Sequence, residues 1–553
     1  MSMSAASTTA NIARIDRDQP APPHVLLPTA SPFDGVGRAF RAFDDPLQGL
    51  IDVTRHHLAL QRLGVVERNL TGATAARTRT RLRRAWGLLS RLRIEPALGL
   101  ASSIEPDLAD LAEGAAEGLR RELDLIRAVA LTLGDQSERA RPFVVRCLNP
   151  ADPARSVIAV ALARLNAWRG GDLETFHAYG RLPPGMSADR RGLRVLVFDR
   201  AMEAALEAQQ LRFAAARRLG EDALLRAGEG AASGADLFPA AVLADLAYEE
   251  GRLDAAWSLL EPRLPLIRTL GPLESAIRVY PRLAQIARAR GEPQYAATLL
   301  REGERLGQAR GWPRLTAACL HARFELFLLE GRLDDARACV AELERLAVTA
   351  SGETLMNPRA YAALAAARLQ LEDHTDPRAV AVIRQSHHAA IARQDLYAGV
   401  HLSIRLIDAL CAIGETGEAA VLLSRVLEVG AQTGLYQTLL DAGPRVRALL
   451  EALFDRIRGD SALRHLAAYA GHLLEHWTFA PAARGGQRSS GPLSDRECAI
   501  LRLIGQGYSN KQVGQALGIA FETVKSHAKN IYGKLDAGNR AEAVARAERL
   551  GFL

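Results

Sequence analysis

All four lysines of the chain, Lys511, Lys525, Lys529 and Lys534, fall within one short window near its C-terminal end, whereas every basic residue upstream of 511 is arginine. A chain-wide preference for arginine is compositional. A local cluster of the compact, strongly hydrated ammonium marks a place where a point charge is suited. Glu522, Lys525, Ser526 and Lys529 recur at i, i+3, i+4 and i+7, so a helix would carry them on one face. Such a row fits the major groove of double-stranded DNA, with both lysines donating to guanine edges or phosphates. Asn510 and Lys511 open a preceding helical stretch, where an amide and a cation can hold the phosphate backbone.

The same distribution closes other chemistries. With no lysine before residue 511, nothing upstream can serve as a P-loop, kinase-type or Schiff-base lysine. The Gly533-Lys534 pair lacks a glycine five residues earlier and a Ser or Thr after it. No catalytic residues, no cofactor and no metal are expected, and the chain reads as not an enzyme. His56-His57 and His387-His388 are adjacent rather than i, i+4, so each pair points to different sides of a helix. Five scattered cysteines without a CxxC pair fit a reducing cytoplasm, and Cys498 reads as a small buried residue. No signal-peptide core and no run of ~18 apolar residues occurs, so a cytoplasmic location without membrane contact is expected. A formal charge of +7 over 553 residues adds little.

The elements that must position the lysines can be read from their start signals. In the block 493–553, Ser494 with Glu497, Ser509 with Gln512 and Asn539 with Glu542 have the spacing of helix-capping pairs. Gly505 and Gly507 punctuate the first turn and Gly518 the second, giving four short helices with a helix-turn-helix among them. In the third helix Val524, Ala528, Ile531 and Leu535 form the apolar stripe that packs on the first two.

Upstream, a short motif sets a period. GRLDAA from Gly251, GEPQYAA from Gly291 and GRLDDA from Gly331 begin 40 residues apart, and GETGEAA begins at Gly414, which leaves room for a degenerate copy near Asp373. Five residues after each glycine stands Ala256, Ala296, Ala336 or Ala419; five before the first three stand Leu246, Ile286 and Leu326. A glycine can end one helix in the left-handed conformation, and the alanine lets the next helix pack closely. The unit is a helical hairpin that must stack to bury its apolar face. Weaker echoes at Gly171 and Gly134 extend the series. The expected fold is all-α: 1–35 disordered, 36–119 helical, 120–478 a tetratricopeptide-like α-solenoid of seven or eight helix pairs, 479–492 a Pro/Gly/Ser linker, and 493–553 the helix-turn-helix domain. The arginine-rich run from Arg77 to Arg93 reads as a solvated amphipathic helix beside acidic neighbours.

In order and at the expected spacing, LSDRE, SNKQV, TVKSH, NIYGKL and NRAEAV resemble the C-terminal domain of the LuxR family of transcription regulators. The resemblance implies that Lys525, Ser526 and Lys529 face bases, that Thr523, Asn510 and Lys511 touch backbone, and that the fourth helix around Arg540 to Ala547 takes part in a homodimer on DNA. Ala520 stands where many members have Ser, removing a side-chain N-cap worth roughly 1 kcal/mol. That alanine, the Arg-x-x-Ala-Val ending and the helical array are similar to the MalT-like subgroup. Members of that subgroup usually carry an ATPase module, which the missing lysines argue against here. The implied function is sequence-specific regulation of transcription, with RNA polymerase as a partner and a small-molecule or protein effector on the solenoid. The alternative is a solenoid scaffold whose terminal domain does not read DNA.

Overall fold

The computed structural model describes residues 73–549 except 90, 110–112, 149–156, 181–189, 230–233, 350–356, 374–375, 478–494, 518–520, 535–536 and 538. The expected disordered 1–35, the linker 479–492, His56-His57, Ser494, Gly518, Ala520 and Leu535 lie outside these residues, and so does the side chain of Cys498. Every regular element among the described residues is helical, and no helix there is long and apolar enough to cross a membrane. Two compact units are present and are taken in turn.

The larger unit is a stack of helical hairpins. Its pairs are Glu113–Leu133 with Ser137–Cys147, Val157–Gly170 with Leu173–Ala178, Arg190–Gln209 with Phe213–Glu229, and Leu237–Glu249 with Leu253–Leu260. They continue as Leu273–Ala289 with Pro293–Arg310, Pro313–Leu329 with Leu333–Thr349, Pro358–Asp373 with Pro377–Ala392, Leu396–Ala412 with Thr416–Thr433, and Pro444–Ile457 with Arg464–His476. The described residues thus hold nine pairs rather than seven or eight, and Glu113–Leu133 runs across the boundary expected at 119–120.

The turns work as the motif implies. Gly251, Gly291, Gly331 and Gly414 have φ of 73°, 77°, 70° and 86°, and Ala256, Ala296, Ala336 and Ala419 are all buried. At Gly251 the amide of Arg252 donates to Ala247 O at 2.9 Å, satisfying a carbonyl that the helix end would leave open. The series is longer than its glycines show. Left-handed residues sit at 171, 211, 251, 291 and 331, all 40 apart, and the second is Leu211 at φ 60°. Gln394 (φ 57°) does the same job further on, and at the Gly134 echo the left-handed residue is its neighbour Asp135 (φ 61°). Near Asp373 the break is built with aspartate and proline: the Asp376 side chain accepts from Arg378 N at 2.9 Å, with Pro377 opening the next helix.

Ahead of the pairs, Ala73–Leu89, Ile94–Ser102 and Glu105–Ala109 cover the first of them. Leu82, Ala85, Trp86 and Leu89 are buried, and Arg81 pairs with Asp107 and donates to Ser103 O at 2.9 Å. The arginine run is therefore an amphipathic helix with a packed face.

The array also ties back on itself. Trp312 Nε1 donates to Leu133 O at 2.7 Å, and Arg314 Nε to Asp135 at 2.7 Å, across 179 residues of chain. Further along, Tyr436 N donates to Glu249 O at 2.7 Å, Thr438 Oγ1 to Glu249 at 2.8 Å, and Arg288 to Asp441 at 2.8 Å. Hairpins far apart in the chain are thus joined directly by the protein's own side chains.

Candidate nucleic-acid interface

The smaller unit comprises Asp495–Gly505, Asn510–Leu517, Phe521–Lys534 and Arg540–Arg549. One core holds them: Ile500, Leu501 and Ile504 from the first helix, Val513 from the second, Val524, Ala528 and Ile531 from the third, and Ala543 and Ala547 from the fourth. Gly507, at φ 91°, makes the turn into the second helix. There Ser509 N donates to Gln512 Oε1 at 2.9 Å and Gln512 N returns to Ser509 Oγ at 3.4 Å, so the capping box closes reciprocally. The fourth helix starts on Asn539, whose Oδ1 accepts from Glu542 N at 3.0 Å.

With Val524, Ala528 and Ile531 buried, Lys525 and Lys529 are exposed one turn apart on the third helix. Glu522, Thr523 and Ser526 belong to the same helix, and their side chains lie outside the described set. At the start of the second helix Lys511 is exposed and Asn510 half-buried. Chemically this is a rigid, cation-bearing helix face beside a second helix N-terminus, where backbone amides favour an anion.

Two contributors escape a motif reading. Arg540 donates to Ile504 O and Tyr508 O, each at 2.8 Å, and so ties the fourth helix to the end of the first. His527, between the two lysines' turns, is only 9% exposed and acts as a packing residue of the reading helix. An arginine in a terminal motif and a histidine beside lysines both look like DNA contacts by type alone; hydrogen bonding occupies Arg540, and packing His527.

On the array, Glu249 is buried among Tyr397, Thr438 and Arg282. Burial raises its carboxyl above the ordinary range, with Arg282 opposing. His401, next to Tyr397 and Thr438, is pushed down to about 4 by burial and then by Arg282. His472, Glu475 and His476 bring donor atoms within 4.8 Å of one another on an exposed helix end. The i, i+4 spacing of His472 and His476 is the sequence signal for this cluster. His387 and His388 meet no third donor among the described residues; His387 Nε2 lies 3.0 Å from Ser403 Oγ.

Residues 491–547 match the family described as bacterial regulatory proteins, luxR family, and residues 125–456 match the MalT-like TPR region. The HTH-type transcriptional regulator MalT of Vibrio campbellii (strain ATCC BAA-1116) is 31% identical over 163 residues, which cover 26% of this chain and 18% of that protein. The regulator of the same name from Yersinia pestis (strain Pestoides F) is 48% identical over 59 residues, 11% of this chain and 6% of that protein. The chain therefore spans less than a fifth of the curated relatives it matches. A solved Rap protein complexed with competence and sporulation factor shares 12% identity at a TM-score of 0.45, covering 65% of this chain and 99% of that one.

Proposed function

Since the chain belongs to the MalT-like TPR family and also carries a luxR-family domain, we propose that it is a sequence-specific DNA-binding transcription regulator whose helical array senses an effector or a protein partner. The observation that carries this is the pair Lys525 and Lys529, exposed in one row on a helix whose other side is locked into the domain core. In this reading Lys525, Ser526 and Lys529 face bases, with Glu522 at the edge of the same row. Asn510, Lys511 and Thr523 hold the phosphate backbone. The fourth helix commits Ala543 and Ala547 to its own core, so a homodimer on DNA would use its outer side. RNA polymerase is a further partner. The protein acts in the cytoplasm, needs no cofactor and is not an enzyme.

Binding of the full chain to genomic DNA fragments, measured between about 50 and 200 mM salt, tests the reading. Charge-driven binding loses affinity linearly in log salt, with a slope near −0.9 per phosphate neutralised. Binding that is absent, or indifferent to salt, would leave the solenoid acting as a scaffold.

A further inference from the structure

The ties between Trp312 or Arg314 and residues 133–135 join the sixth hairpin to the first, and a partly open cavity of about 110 Å³ lies beside Leu133. First helices of successive hairpins wall it. Ile158, Ala161, Leu162 and Leu165 come from one helix, Phe198 and Phe238 from the next two. Only the end marked by Thr132, Arg169 and Glu274 is polar. We propose that this cavity binds a small, neutral, largely apolar molecule of about one aromatic ring. Taken with the reading of the array as the sensing region, on which this last step rests, that is the chemical class of the effector.

Size comes first. The cavity is several times a water molecule's share of liquid volume, ~30 Å³, and somewhat below the ~150 Å³ of an apolar cavity known to stay dry and take up benzene. Apolar walls give water too few partners, and an unfilled pocket forfeits dispersion contacts along those walls, so an apolar guest stabilises what the protein leaves open. Shape follows from the rings of Phe198 and Phe238, whose centroids are 5.3 Å apart at 40°, an arrangement that leaves aromatic faces and edges for a flat guest.

Charge then narrows the class. Arg169 Nε donates to Glu274 at 2.8 Å and its Nη1 to Thr132 O at 2.8 Å; Arg314 bonds Asp135 at 2.7 Å and reaches Glu274 at 3.4 Å. Two guanidinium groups thus face two carboxylates, all four buried. Their charges are matched among themselves, so an ionic guest would be desolvated without a partner.

The test uses the full chain, calorimetry and thermal unfolding, with benzene, phenol and indole as neutral probes and benzoate and benzylammonium as charged ones. Neutral probes should bind saturably at one site and raise Tm by about 2 °C near saturation, and the charged pair should bind at least tenfold more weakly. Ala161→Phe, or the milder Ala161→Leu if the first fails to fold, should cut neutral-probe affinity at least tenfold. No saturable binding to the unaltered chain, undiminished binding in the filled variants, or equal affinity for the charged probes would overturn the site. DNA affinity is measured in the same samples. Probe binding that leaves it unchanged supports the cavity and counts against the sensing reading, so the two fail separately.

Discussion

Lys525 and Lys529 differ from the buried arginines of the array in what surrounds them. Arg169, Arg282 and Arg314 are buried and paired with carboxylates, while the two lysines stand exposed on the third helix of the terminal unit. Lys525→Ala or Lys529→Ala is therefore expected to weaken DNA binding by about 1–3 kcal/mol and relax preference at particular bases. Lys511→Ala should weaken all sequences alike and reduce the salt slope by about one; competition binding against base-substituted sites separates these outcomes. A second residue-scale prediction concerns His401. Its folded value of about 4 lies below the ordinary 6.5, so between those limits the unfolded chain takes up a proton that the native array does not. Stability should thus fall as pH drops from 6.5 toward 4, by up to about 3 kcal/mol. Glu249, raised by burial in the same cluster with Arg282, Asp245 and Asp441, works in the opposite sense. Denaturation of the unaltered chain against His401→Gln across that range isolates the histidine's share.

At the level of the element, hairpin turns set the stack. Gly331 has φ 70°, and an added Cβ would meet nothing within 4 Å, so Gly331→Ala isolates the cost of a left-handed backbone: about 1 kcal/mol of stability lost. Gln394 is exposed at φ 57°, and Gln394→Gly should gain roughly 0.5–1 kcal/mol by relieving the same strain. Urea denaturation of both variants checks the signs. These turns also show what was legible. Where glycine occupies the turn, as at 251, 291, 331 and 414, composition and spacing announce it; where Leu211, Gln394 or Asp135 holds the same angle, they do not. Tertiary packing supports an unfavourable local conformation there: Leu211 is only 6% exposed, so burial offsets its backbone strain.

Across the larger unit as a whole, buried ion pairs join distant hairpins. Arg314 links Asp135 and Glu274, and removing it leaves a buried carboxylate without its counter-charge. Arg314→Ala should cost about 3–5 kcal/mol, and hydrogen exchange should rise around 133–137 and 312–316, where the tie is lost. Arg332→Ala, which removes an exposed partner of Glu330 and Asp335, should cost less than about 1 kcal/mol in the same assay. Exchange that rises equally in both variants would mean that the tie does not hold the winding.

By itself the sequence determined the all-helical class, the 40-residue hairpin period and the terminal helix-turn-helix with its candidate reading face, because each is written in local signals: turn glycines, capping pairs and a 3.6-residue apolar stripe. Only the tertiary structure decided that Arg540 ties helices together, that His527 is packed away, that Leu211 and Asp135 are turns, and that the early hairpins leave a small, mostly apolar cavity. The physical reason is range. Contacts such as Trp312 with Leu133 join residues 179 positions apart, and no local periodicity specifies which buried charges will meet once the hairpins wind together.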